Sequence, residues 1–213
     1  MKVTIIYDNE VYKKGLKADW GFSSLVEVEN TPRTLFDTGT NGSILLSNME
    51  KLDIDPKSID EVFISHAHFD HLGGLKDFLK VNNNVKVYIP LSCPKPSGAK
   101  EVIVVKEALQ IHENVFSTGE IDGIEQSMAV KTDKGIILIV GCSHPRMAHI
   151  LGAASKLGKI YGIIGGLHGF REFELFKDLN LICACHCTQF KSEIKQLYPE
   201  KCLDGGAGKV FNL

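Results

Sequence analysis

Four potential metal ligands fall within six residues at His66-Ala67-His68-Phe69-Asp70-His71, and no other segment limits the chain's possible folds as tightly. Imidazole nitrogen and carboxylate oxygen are the donors that borderline cations such as Zn²⁺ take up. Three His and one Asp contribute nothing to a hydrophobic core and are poor filler for a helix or strand. The flanks add context. Glu61-Val62-Phe63-Ile64-Ser65 is a short, β-prone apolar run, and Leu72-Gly73-Gly74-Leu75 follows the cluster. The spacing therefore predicts a loop leaving the end of a buried strand, where polar groups can face a cleft.

Within the cluster, His66 and His68 are two apart and point the same way in extended backbone, so they can grip one ion. Asp70 and His71 lie beyond a turn, in reach of a second ion, and Phe69 is the residue expected to turn inward. The competing explanation is a polar loop with solvated imidazoles. Grouping argues against it, because buried imidazoles without partners are costly.

Three further His follow apolar strands: His144, His168 and His186. His144 is the candidate third nitrogen on the first ion. In Cys183-Ala184-Cys185-His186-Cys187-Thr188, alternation places three Cys on one face and Ala184, His186 and Thr188 on the other. The Cys face reads as buried free thiols, and His186 is assigned to the second ion. His112 and His149 read as surface residues.

Strands are expected at Lys2–Tyr7, Phe22–Glu29, Arg33–Phe36, Val62–Ser65, Val85–Ile89 and Val102–Val105. A hairpin pairs Glu125–Lys131 with Gly135–Val140. Helices are expected from a Ser43 cap to Leu52 and over Gly74–Lys80. Strand–helix alternation follows: helix Pro145–Leu157, strand Lys159–Ile164, helix Glu172–Leu179, strand Leu181–Cys185, helix Gln189–Tyr198, and a closing strand at Lys209–Asn212. No linker or repeat divides residues 1–213, so one domain is expected. Its class is mixed α/β (α+β): two mixed β-sheets face to face with helices outside, a four-layer αβ/βα sandwich. The irregular Cys93-Pro94-Lys95-Pro96-Ser97-Gly98 segment is a candidate rim loop.

The chain's 213 residues, 44% hydrophobic, suffice for a sizeable core. A net charge of −2, with no basic stripe interleaved with aromatics, gives no reason to expect nucleic acid. No apolar stretch approaches the ~20 residues of a membrane span. Six Cys in a chain of this size read as thiols in a reducing cytoplasm rather than as a disulfide framework. A small soluble substrate is the expected partner.

Ser65-His66-Ala67-His68-Phe69-Asp70-His71-Leu72-Gly73-Gly74 resembles the metal-binding signature of the metallo-β-lactamase-fold superfamily. Phe36-Asp37-Thr38-Gly39, Gly141-Cys142-Ser143-His144, Gly165-Gly166-Leu167-His168 and Cys185-His186-Cys187-Thr188 extend the resemblance over roughly residues 3–212. Their order is similar to the branch named after dihydropterin ribofuranosyl-aminobenzene phosphate synthase. The resemblance implies the same four-layer fold, with the metals in a cleft between two halves. It implies that Asp37 orients a ligand loop, and that His168 donates a proton or touches substrate.

The chain departs from the commoner pattern twice. Gly119-Glu120 stands where many members carry Gly-His, and Gly141-Cys142 where many carry Gly-Asp, whose Asp bridges two ions. Cys142 can replace that bridge as a thiolate, remain a buried thiol, or leave the second ion weakly held.

The expected cofactor is one or two Zn²⁺, with Mn or Fe as alternatives. The expected chemistry is hydrolysis of an ester, thioester, lactam or phosphodiester by metal-activated water, with Asp70 collecting a proton and His168 supplying one. The named branch implies instead a condensation of a pterin pyrophosphate with a ribosyl-aminobenzene phosphate; there Lys95, Lys100 and Arg146 are available to phosphate. A redox or sensor protein with a di-iron or degenerate centre is the third reading.

Overall fold

Short apolar runs buried on both faces build most of the strands. The first half lays down β1 (Lys2–Tyr7), β2 (Ser23–Glu27), β3 (Thr34–Phe36), helix α1 (Gly42–Lys51), β4 (Glu61–Phe63), the one-turn helix α2 (Phe69–Leu72), α3 (Leu75–Val81), β5 (Lys86–Pro90) and β6 (Glu101–Val105). The second half adds β7 (Leu109–His112), β8 (Val115–Ser117), β9 (Met128–Thr132), β10 (Gly135–Val140), α4 (Met147–Ser155), β11 (Ile160–Gly166), β12 (Leu181–Cys185), α5 (Lys191–Leu197) and β13 (Val210–Asn212). This is a computed structural model describing residues 1–213.

Seven strands form one sheet, in the order β13-β1-β2-β3-β4-β5-β6, and six form the other, β12-β11-β10-β9-β8-β7. Both are mixed: β3 to β6 run parallel, as do β10 to β12, and the remaining pairs are antiparallel. Period-two alternation then sorts the core. On β10, Ile137 and Ile139 join Val3, Ile5, Phe36 and Phe63 between the sheets. Ile136, Leu138 and Val140 point the other way, against Ile150 and Ala154 of α4 and Ile194 of α5. Leu45 and Met49 of α1 and Phe78 of α3 cover the outside of the first sheet. The result is the expected helix–sheet–sheet–helix sandwich. No helix is long and apolar enough to cross a membrane.

Parallel strands align their carboxyl ends, where α/β sheets commonly place ligands. Asp37 follows β3, His66 lies just beyond β4, and Ser143, His168 and His186 lie beyond β10, β11 and β12. Four of these turns place a non-glycine residue in the left-handed region: Asp37 (φ 54°), Ser143 (60°), His168 (42°) and His186 (46°). Each such conformation costs on the order of 1 kcal/mol or more, and it clusters where a chain must aim a side chain. Gly165 lets β11 press against β10, since a Cβ there would collide with the Val140 carbonyl.

Several local expectations change. Asn41 rather than Ser43 caps α1, because its Oδ1 accepts from Ser43 N and Ile44 N. Phe69 does not turn inward; it opens α2 and is 69% exposed. The Glu172–Leu179 helix shrinks to a 3₁₀ turn at Phe173–Phe176. The β7–β8 hairpin was not expected, since its strands are short and half-polar. His112 sits in β7 and pairs with Glu61 (Nε2 to Oε2 2.9 Å). The Cys93–Gly98 loop shares a concavity with Leu72, Leu75, Lys76 and Leu79 rather than with any ligand.

Candidate metal centre

His66, Cys142 and His144 bring their donor atoms together at one point, and Asp70, His71, Cys142 and His186 at another, all within 4.8 Å of one another in each group. Cys142 belongs to both. His68 flanks the first group on its exposed side, its ring 4.6 Å from those of both His66 and His144, while its donor nitrogens lie outside the 4.8 Å cluster. Every ligand expected from the sequence therefore reaches one cleft, from β4, β10 and β12. Asp37 lies beneath the cleft, and His168 stands beside it, its ring 5.1 Å from His144.

The hydrogen bonds fix which nitrogen of each ring faces inward. Ser65 Oγ donates to Asp37 Oδ2, so His66 Nδ1–H donates to Ser65 Oγ (2.8 Å). His71 Nδ1 donates to Asp37 Oδ2 (2.7 Å), His144 Nδ1 to Glu125 Oε2 (3.1 Å) and His186 Nδ1 to Asn9 Oδ1 (2.9 Å). Four imidazoles on three segments thus hold Nδ1 on an outer acceptor and turn Nε2 inward, that of His186 facing Asp70 Oδ2 at 3.0 Å. This is how proteins orient metal-ligating His. His66 Nε2 is buried without any hydrogen-bond partner. Such an orphan is costly without a cation, so the donor set fits one.

Burial, reinforced by neighbouring imidazoles, pushes His66 and His71 down to about 3, keeping both neutral and ligand-competent at pH 7. Burial also pushes the Asp37 carboxyl up, while all three of its hydrogen bonds, from Ser65 N, Ser65 Oγ and His71 Nδ1, are accepted ones. Only the carboxylate satisfies them in full. Asp70 would be raised by burial, yet the His186 hydrogen bond and nearby imidazoles hold it well below the usual carboxylate range. Cys142 is pushed up by the Cys187 thiol beside it and by burial, so without metal it is a thiol and must release a proton to ligate.

These values predict how the metal-free chain responds to acid. The unfolded chain protonates His66 and His71 near 6.5, while the folded chain resists until about 3. Stability present above pH 6.5 is therefore lost as pH falls toward 3, at up to roughly 2.7 kcal/mol per pH unit for the pair. Urea unfolding of chelator-treated protein should show the midpoint dropping steeply between pH 6.5 and 4; a flat profile would contradict neutral buried imidazoles.

Three functional residues carried no readable motif. Glu125, 1% exposed, accepts at Oε1 from the backbone N–H groups of Gly141, Cys142 and Ser143, and at Oε2 from His144 N and Nδ1. One carboxylate thus holds the whole ligand loop after β10. Burial alone would raise it, but these donors outweigh burial and hold it near 2. Asn9 spans Gly21 N and His186. Trp20, the only Trp, donates Nε1–H to Asp70 Oδ2 (2.9 Å) while 58% exposed. Trp20→Phe removes that donor and keeps most of the ring, so metal affinity should fall about tenfold in a chelator competition; unchanged affinity would show that the contact does not orient Asp70.

Cys183 and Cys185 lie between the sheets, as alternation requires. Cys187 does not: the left-handed turn at His186 breaks the period, and its Sγ lies against the Cys142 carbonyl at 3.9 Å. All six Cys are free. Glu120 stays out of the cleft, its Oε1 accepting from Ser92 N.

Residues 19–142, more than half of the chain, match the metallo-beta-lactamase superfamily, and the chain belongs to it. A 7,8-dihydropterin-6-methyl-4-(beta-D-ribofuranosyl)-aminobenzene-5'-phosphate synthase of Methanocaldococcus jannaschii is 28% identical across 89% of this chain and 88% of its own. A metal-dependent hydrolase of the beta-lactamase superfamily superposes over 100% of this chain and 99% of its own, with TM-score 0.82 and 24% identity. A diphosphatase of the PhnP family shares the fold at TM-score 0.66 and 12% identity, over 100% of this chain and 97% of its own.

Proposed function

We propose that this chain is a metal-dependent hydrolase acting on a small soluble ester, thioester or phosphodiester. One observation carries the reading: four inward Nε2 atoms, one carboxylate and one thiol converge on a cleft at the strand ends. His66, His68 and His144 would hold one cation, Asp70, His71 and His186 a second, with Cys142 between them. The imidazole–thiolate set favours Zn²⁺ over harder cations such as Mn²⁺, with iron as the remaining fit. A cation held there supplies Lewis acidity and a water acidified to a pKa near 7.

The chain's own groups do the rest. Asp70 presents Oδ2 to Trp20 and His186, which fixes its carboxylate and leaves it ionised to collect a proton from the attacking water. His168, exposed beside His144, is placed to donate a proton to the leaving group. Glu125 and Asp37 touch no substrate; they hold the ligand loops in register.

The synthase reading is favoured by the M. jannaschii relative, similar over most of both chains. In that reaction the same cleft would stabilise a departing pyrophosphate. A panel of phosphodiester, thioester and lactone substrates, run beside pyrophosphate release from a pterin pyrophosphate, separates the two. Hydrolysis of a panel member that is lost in His66→Ala supports the first; pyrophosphate release without hydrolysis supports the second. Stoichiometric iron with visible absorption would favour a redox or sensor protein instead.

A further inference from the structure

Beside the metal centre a concavity of about 400 Å³ opens between the loops that follow β10 and β11, and His144 and His168 form part of its wall. A group seated there would lie against His144 and His168. Arg146 and Arg171 line the same concavity, both exposed and neither paired with a carboxylate. Arg171 is held in place, its guanidinium carbon 4.3 Å over the Phe190 ring. Arg146 projects from the start of α4, where its backbone N–H, not its side chain, is bonded to Asp122.

The carboxylates nearby do not neutralise this pair. Asp122 is also engaged by the His149 ring (Nδ1 to Oδ1 2.9 Å). Glu172 lines the concavity without an ion pair, leaving two guanidiniums against one carboxylate in a chain whose net charge is −2. Apolar lining is slight, Met147 and Phe170 being the principal contributors. Lys95, the other cation expected at a phosphate, faces a separate concavity over α3.

We propose that Arg146 and Arg171 form a subsite for a phosphate group carried by the substrate, a few atoms from the reacting bond. Guanidinium forks match phosphate oxygens and form strong charge-assisted bonds, so two of them suit a dianion. The hydrolase reading defines which bond is cleaved next to this subsite, but phosphate recognition itself can be measured without turnover.

The test is calorimetric titration of inorganic phosphate and of acetate into metal-loaded protein. Wild type, Arg146→Gln, Arg171→Gln and the double variant are compared, with chelator-stripped wild type as a further arm. Metal content and thermal midpoint confirm that the variants are folded. Each single change should weaken phosphate binding about tenfold and the double change about 100-fold. Stripped protein should still bind phosphate, and acetate should bind at least about tenfold more weakly. Wild-type affinity in the double variant, loss of binding on stripping alone, or acetate binding as tightly as phosphate would each overturn the subsite. If the substrate panel shows no hydrolysis while the titrations behave as expected, the hydrolase reading fails and the subsite stands.

Discussion

Glu125→Gln is expected to destabilise the protein by about 3 kcal/mol and to weaken metal binding by 10- to 100-fold. Hydrogen bonds to a buried charge are each worth roughly 1.5–3 kcal/mol, and this carboxylate accepts five, all from the segment Gly141–His144. A Gln side chain keeps one oxygen and turns an NH₂ toward groups that are themselves donors. If the NH₂ faces His144, that ring loses the acceptor that fixes its tautomer; if it faces the other way, three backbone N–H groups are left unsatisfied. Either arrangement loosens the loop carrying both Cys142 and His144, and outer partners of this kind typically account for 10- to 100-fold in affinity. Urea unfolding and equilibrium dialysis against metal measure the two effects. Wild-type stability with full metal content would show that the loop does not depend on the carboxylate.

Cys142→Ser is expected to leave the fold intact and to change the metal count. Cys142 Sγ lies 3.0 Å from His71 Nε2 and is the one donor belonging to both ligand groups. A serine hydroxyl is a poor ligand at neutral pH, so the group of Asp70, His71 and His186 should hold its ion at least about 100-fold more weakly. The other group keeps three His. The stoichiometry should therefore fall from two ions toward one, and Cys142→Asp, with a bridging-capable carboxylate, should restore it. Substitution with cobalt gives an independent readout, since a thiolate ligand adds a charge-transfer band that the Ser variant must lose. Two ions in Cys142→Ser, or no thiolate band in the cobalt-substituted wild type, would remove Cys142 from the ligand set.

The segment His66–His71 is legible because its ligands are neighbours in the chain and fit no structural purpose. His144 and His186 are legible because each ends an apolar run, and parallel strands deliver their exits to one edge. Glu125 is silent: it opens no motif, and its role exists only once β9 and β10 bring it beneath a loop sixteen to nineteen residues away. Trp20 is silent for the same reason, fifty residues from Asp70. Local misreadings have local causes. Phe69 was expected inside because apolar residues usually are, but helix α2 begins there and turns the ring out. Cys187 left its expected face because a single left-handed residue resets a period of two.

The most direct measurement is anomalous scattering, combined with elemental analysis, on a crystal of the protein as purified. Ion density about 2.0–2.1 Å from the Nε2 atoms of His66, His144, His71 and His186, and about 2.3 Å from Cys142 Sγ, is the predicted result for zinc. A metal-free crystal from metal-supplemented protein, with those nitrogens bonded only to water, would contradict it.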